Sequence, residues 1–152
     1  MAELKERLRA DLNTAMRARD QVRMRTLRMA LTSITNEEVA GAAARDLTDD
    51  EIVKVLTREA RKRREAAEAF SAAGRSDQAA AERAEGDVLA GYLPAQLSDD
   101  ELAALVDATI TETGASGMAA LGQVMKTVTP RVAGRADGAR VAAEVRRRLS
   151  SA

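Results

Sequence analysis

The sequence predicts an all-α protein: an N-terminal bundle of about four helices, then a small C-terminal domain of three. Three observations predict it. Apolar residues recur at three- and four-residue spacing along most of the chain, and no convincing alternating strand pattern interrupts them. Two capping boxes, Thr48 to Glu51 and Ser98 to Glu101, place a hydroxyl three residues ahead of a carboxylate at a helix start. Pro94, in Tyr92-Leu93-Pro94-Ala95-Gln96-Leu97, cannot continue a helix and biases Leu93 away from helical geometry. It divides the chain into residues 1–93 and 94–152.

The elements follow in order. Leu4, Leu8, Leu12, Ala15 and Met16 make one apolar stripe and predict a helix from about Glu3 to Ala18. Asp20 is placed to cap the next helix, in which Met24, Leu27, Leu31 and Ile34 repeat toward Val39, with Gly41 as the expected stop. The Thr48 box starts a long helix carrying Ile52, Val55, Leu56, Ala60, Ala67 and Phe70 near one face, ended by Gly74. An Ala-rich segment opens at Ser76 and runs through Val88 and Leu89 into Tyr92. Beyond Pro94 the Ser98 box opens a helix with Leu102, Leu105, Val106, Thr109 and Ile110, ended by Gly114. Met118, Leu121, Val124, Met125 and Val128 form a short helix that Pro130 is expected to stop. After a Gly134-Arg135-Ala136-Asp137-Gly138 turn with Asp137 as cap, Val141, Val145 and Leu149 define the last helix.

Composition narrows function. The chain has no Cys and no His. It therefore lacks thiolate and imidazole metal ligands, Cys–His or Ser–His nucleophilic pairs, and the usual neutral-pH acid–base residue. No catalytic residue, metal ligand or cofactor is expected. The carboxylates of Asp49-Asp50-Glu51 and Asp99-Asp100-Glu101 are explained by their capping boxes. No apolar run has membrane-spanning length and the N-terminus is charged from Glu3 onward, so a cytoplasmic protein without membrane partners is expected. One Phe and one Tyr leave little scope for base stacking, so any bound RNA would be held by backbone and shape contacts.

Charge is uneven along the chain. Lys and Arg number 24, as do Asp and Glu. Yet Ser98 to Glu112 holds five acids and no base, whereas Lys126 to Arg148 holds seven bases against two acids, a local excess of about +5. Such asymmetry marks either an anionic partner or a solvated helix end whose bases suit the C-terminal dipole. The glycine-flanked turn offers a candidate nucleic-acid site: Lys126, Arg131, Gly134, Arg135, Gly138, Arg140 and Arg147. The alternative is a tight connector in which Asp137 occupies the helix amides and repels an anion. A secondary basic face comprises Lys54, Arg58, Arg61 and Lys62, at i, i+4, i+7 and i+8, with Arg63 placed to pair with Glu59. A third cluster, Arg17, Arg19, Arg23, Arg25 and Arg28, is interrupted only by Asp20. It is either a phosphate-binding set or a set of internal pairs to Glu37, Glu38 or acidic helices.

An ordered set of segments carries a resemblance over nearly the whole chain. It begins with Thr26-Leu27-Arg28-Met29-Ala30-Leu31, Asn36-Glu37 and Leu47-Thr48-Asp49-Asp50-Glu51. Lys62-Arg63-Arg64-Glu65-Ala66, Phe70, Ala73-Gly74-Arg75 and Tyr92-Leu93-Pro94-Ala95-Gln96-Leu97-Ser98 follow. Gly122-Gln123-Val124-Met125-Lys126, Pro130 and Gly134-Arg135-Ala136-Asp137-Gly138 complete it. On these residues the chain resembles the GatB/YqeY family. The resemblance implies an N-terminal helical domain and a three-helix C-terminal domain similar to the tail of the B subunit of the tRNA-dependent amidotransferase, which helps hold the tRNA. It implies a YqeY-like, non-catalytic, tRNA-associated module under the family label of carbon–nitrogen ligase activity with glutamine as amido-N-donor. The alternatives are a protein–protein adaptor docking on an aminoacyl-tRNA synthetase or amidotransferase and, with the missing His and Cys and absent catalytic motifs against it, an enzyme of amide transfer in its own right. The resemblance does not extend to the kinase-like cradle, a phosphate loop or an amidase set, so the label describes the amidotransferase rather than chemistry in this chain.

Overall fold

The computed structural model describes residues 2–151, and among them it contains seven α-helices and no strand. They are α1 (Glu3–Ala18), α2 (Gln21–Glu38), α3 (Asp49–Ala72), α4 (Ser76–Ala90), α5 (Asp99–Thr113), α6 (Leu121–Val132) and α7 (Gly138–Ser151). The chain divides into two compact units, one ending at Leu93 and the other beginning at Pro94.

In the first unit local chemistry sets most boundaries. The α1 stripe buries Leu8 and Ala15, while Met16 stays 45% exposed, outside the core its spacing suggested. The turn after α1 satisfies the helix's orphan carbonyls: Arg19 N–H donates to Met16 O (3.2 Å) and Asp20 N–H to Ala15 O (3.0 Å). Arg19 sits at φ +57°, in the left-handed region. Asp20 then caps α2 by accepting from Arg23 N–H at 3.1 Å. The Thr48–Glu51 box is complete in both directions, and α3 ends in a turn where Arg75 N–H reaches Phe70 O (2.8 Å) and Gly74 takes φ +73°.

The stop of α2 is not the expected Gly41. The helix ends at Glu38, with Val39 60% exposed. Glu38 turns the chain through tertiary contacts. Its carboxylate accepts from the buried Lys5 Nζ (2.6 Å) and from Leu47 N–H (3.3 Å), and its carbonyl accepts from Arg45 N–H (3.0 Å). These bonds draw residues 39–48 back over the helix end and bury Leu47.

Helix α3 packs along α4 and α1 along α2, with α2 also touching α3 and α4. Leu8, Leu27, Ile34, Ile52, Leu56 and Leu89 are fully buried between them. Each contributes roughly 1.5–3 kcal/mol of transfer free energy. Phe70, the one phenylalanine, is only half-buried near the end of α3. Tyr92 closes the unit. Its hydroxyl donates to Asp11 Oδ2 (2.5 Å) and accepts from Arg23 (3.4 Å), while the Arg7 guanidinium lies 4.6 Å from the ring centroid.

In the second unit α5, α6 and α7 each contact the other two around Leu102, Val106, Val124, Val128, Val145 and Leu149. The Ser98–Glu101 box is again complete, and Gly114 at φ +65° ends α5. The expected helix from Met118 begins instead as a 3-10 turn over Met118–Ala120. Pro130 does not stop α6, which continues to Val132. A proline here cannot donate to the carbonyl of Lys126, but both residues are exposed, so water can serve that carbonyl. Val128 and Val132, buried on either side, hold the last turn in register. No helix among the described residues is long and apolar enough to cross a membrane.

Gly86 lies inside α4, where a Cβ would meet only Arg63 Cβ at 3.7 Å, ordinary contact. Gly86→Ala should therefore stabilise the first unit by about 0.5–1 kcal/mol through helix propensity alone, read as a higher urea midpoint at unchanged m-value.

Candidate nucleic-acid interface

The turn between α6 and α7 is built from two successive left-handed residues, Ala133 (φ +51°) and Gly134 (φ +76°). This sharp reversal presents backbone polar groups sideways, and residues 94–97 use them. Leu97 N–H donates to Arg135 O at 2.7 Å, Arg135 Nε–H donates to Ala95 O at 3.1 Å, and Gln96 Nε2 reaches Gly134 O at 3.4 Å. Arg135 is thus a brace between turn and lead-in segment. Asp137, 8% exposed, is the N-cap of α7: its Oδ1 accepts from Ala139 N–H (3.0 Å) and its carbonyl from Val141 N–H (3.0 Å). A carboxylate of the chain itself holds the position an external anion would need. Gly138 has no left-handed φ and open space where a Cβ would lie, so backbone geometry does not demand glycine there.

The basic residues that the sequence grouped have different fates. Arg131 bonds Glu112 (2.5 Å) and Thr109 Oγ1 (3.3 Å), Arg140 bonds Asp99 (2.9 Å), and Arg148 pairs with Asp107. All four of these acceptors lie on α5. The acidic and basic segments are therefore complements within one unit: from Pro94 onward seven acids balance seven bases. Arg147 pairs along α7 with Glu144 (2.6 Å), while its side chain stays 61% exposed. The Arg147 hydrogen bond holds the Glu144 carboxyl below its ordinary value. Lys126 and Arg146 are exposed and have no ion-pair partner among the described residues. Arg146 was not singled out from the sequence. The signal was present, since Val145 and Leu149 point into the core and leave 146 and 147 on the outer face.

The secondary face on α3 is interleaved with carboxylates. Arg58 bonds Glu37 (2.7 Å), Lys62 bonds Glu59 (3.2 Å), and Arg61 lies 3.9 Å from Glu65. Lys54 alone of the four has no hydrogen bond or ion pair among the described residues, and its charge acts on Glu51 nearby. It lines a shallow cavity of about 190 Å³ with Arg45, Arg58, Glu37, Glu51, Leu47 and Val55, in which Arg45 is held by Glu51 at 2.9 Å.

Behind this face runs a half-buried ionic network joining α2, α3 and α4. Arg63 lies within 3.4 Å of Glu59 and Glu82 and 3.6 Å of Glu85, which realises the expected pairing with Glu59. Glu85 also binds Arg25 (2.7 Å), and Glu59 accepts from Ser33 (3.1 Å). Burial pushes the Glu59 carboxyl up, but Lys62, Ser33 and Arg63 together outweigh it and the net shift is down. Glu38 is lowered chiefly by its bond from Lys5. Burial and the bond to Asp11 raise Tyr92 to about 12. No group of three or more acidic residues among the described ones could hold a metal ion.

A family model described as Yqey-like protein matches residues 5–149. No curated protein matches the chain.

The lowered carboxyls of Glu59 and Glu38 set an acid limb for the first unit. A glutamate whose folded pKa lies below its ordinary 4.5 contributes stability above that value and loses it as pH falls through the folded pKa. Stability of the unit should therefore be flat near neutrality and fall as pH drops below about 4.5. Glu59→Gln should lower the neutral-pH urea midpoint and flatten this fall; an acid limb identical to wild type would mean that Glu59 is not part of it.

Proposed function

Since the chain belongs to the YqeY-like family, we propose that it is a non-catalytic, tRNA-associated module. Its residues 94–152 would play the part of an amidotransferase tail. The observation that carries this reading is the cations on α6 and α7 that no α5 carboxylate pairs: Lys126 and Arg146, with Arg147 exposed at the next position of α7. Their guanidinium and ammonium groups suit phosphate contact at low desolvation cost. Arg131, Arg135 and Arg140 are assigned to holding the unit together, and Gly134 to shaping the turn. Glutamine-dependent carbon–nitrogen bond formation is assigned to the enzyme that the module accompanies, because a chain without Cys or His offers no glutaminase nucleophile–base pair of the usual kind.

A second reading, a protein–protein adaptor docking on an aminoacyl-tRNA synthetase or amidotransferase, is favoured by one specific fact. Each unit is formally neutral, with 17 acids and 17 bases through Leu93 and seven of each beyond it. Neutral units lack the long-range field that draws a protein to a polyanion.

A salt titration of tRNA binding by the full chain separates the two. The tRNA reading expects affinity that weakens steeply with salt, and a Lys126→Gln/Arg146→Gln variant whose log–log slope is lower by roughly 1.5–2 with unchanged helicity. Arg140→Gln should instead lower the stability of the second unit. No binding at low salt, together with capture of a synthetase that survives nuclease, would establish the adaptor.

A further inference from the structure

We propose that the α1–α2 corner and the exposed face of α2 that leads from it to Arg28 are a second contact surface for RNA sugar–phosphate backbone, made by Arg17, Arg19 and Arg28. This inference rests on the tRNA reading above and adds a surface on the other unit.

Three observations meet at this corner. The first is a charge excess that the fold does not consume. Residues 12–36 hold five arginines and one acid, Asp20. The Asp20 carboxylate is engaged as the cap of α2. Arg25 is taken by Glu85 and Arg23 by the Tyr92 hydroxyl. The flanking acids are also engaged, Asp11 by Tyr92 and Glu37 by Arg58. Arg17, Arg19 and Arg28 are exposed and have no partner among the described residues. Elsewhere in the chain most guanidinium groups end on a carboxylate.

The second observation is strain. Arg19 occupies the left-handed position that ends α1, with both closing hydrogen bonds of the turn in place. Glycine is the usual occupant of such a position, because a Cβ there crowds the following carbonyl. The chain retains an arginine at the tip of the α1–α2 turn, where fold stability alone favours glycine. Ala133 takes the same conformation at the end of α6 with only a methyl to offer. The strain at Arg19 therefore fixes where its side chain leaves the turn, and the unconsumed charge is what points to its use.

The third concerns the partner. The large apolar side chain exposed at this corner is Met16 alone, so neither a partner helix nor a bilayer finds an apolar face to seat against. Arg28 continues the outward face of α2 through Gln21 and Arg25, at i, i+4 and i+7. Guanidinium groups spread along an edge suit the repeated bidentate demand of a phosphate backbone.

The test uses the full chain and bulk tRNA. Arg17→Gln/Arg19→Gln/Arg28→Gln should lower affinity on the order of tenfold and reduce the log–log salt slope by about 2–3. Arg75→Gln, which removes another unpaired arginine of the same unit, should leave the slope within error. Arg19→Gly should move stability and binding in opposite directions: the unfolding midpoint rises by roughly 2–6 °C while affinity falls. An unchanged slope in the triple variant, with wild-type binding intact, overturns this surface and leaves the tRNA reading standing. Failure of the wild-type chain to bind tRNA at low salt sinks both. A triple variant that keeps its tRNA slope but loses affinity for an acidic protein or anionic vesicles overturns the RNA assignment. Unchanged affinity and salt slope for Arg19→Gly would remove Arg19 from the surface and overturn the proposal as stated.

Discussion

Cross-helix pairing of charge is the constraint on which the rest of this structure depends. Alanine, leucine and valine make most of the core, and aromatic residues make up 1% of the chain. Smooth helices with such small side chains slide and rotate against one another at little cost in buried area. The ion pairs remove that freedom. Lys5–Glu38 ties α1 to the end of α2, Arg25–Glu85–Arg63–Glu59 joins α2, α3 and α4, and α5 is keyed to α6 and α7 by Glu112, Asp99 and Asp107. A one-residue slip in the first unit would strip the buried Lys5, Glu38, Glu59 and Glu85 side chains of their partners, at a cost above the net worth of the pairs themselves. The α5 pairs lie at the surface and contribute at most about 1 kcal/mol each. Charge here selects the register, and apolar burial stabilises it.

The same pairing defines what is left for a partner. A protein that spends its arginines on itself presents few to solvent, and those few stand out. On the second unit they lie on the outer faces of α6 and α7. On the first, Arg17 and Arg19 stand where α1 ends and Arg28 on the exposed face of α2. The glycine-flanked turn belongs to the architecture: its backbone carbonyls receive Leu97 and Gln96, and its aspartate fills the helix start.

Features set by neighbours in the chain were legible in the sequence. Both capping boxes, the Asp20 and Asp137 caps, the Gly74 and Gly114 stops and the buried faces of α6 and α7 follow from contacts within a few residues. Three features depend on distant partners and were not legible. The end of α2 is set by Lys5 and Leu47 rather than by Gly41. The passage of α6 through Pro130 depends on which of its faces is wet. The basic C-terminal segment looked like a patch because its neutralising acids lie some 20–40 residues earlier, on α5. For the candidate site, the sequence identified the positions of the cations, while their availability is a tertiary property.

The bond from Leu97 N–H to Arg135 O has a consequence for the order in which the second unit assembles. It closes a loop containing all of α5 and α6, and the contacts among α5, α6 and α7 already bring the ends of that loop together. The capping box at Ser98 and the αL turn at Ala133 and Gly134 need only their own neighbours and can form first. The lead-in segment therefore locks last, as a clasp over helices already docked. Ala95 and Gln96 are exposed while Leu97 is buried in the core, so the clasp is pinned at its inner end and has its weak end at Pro94.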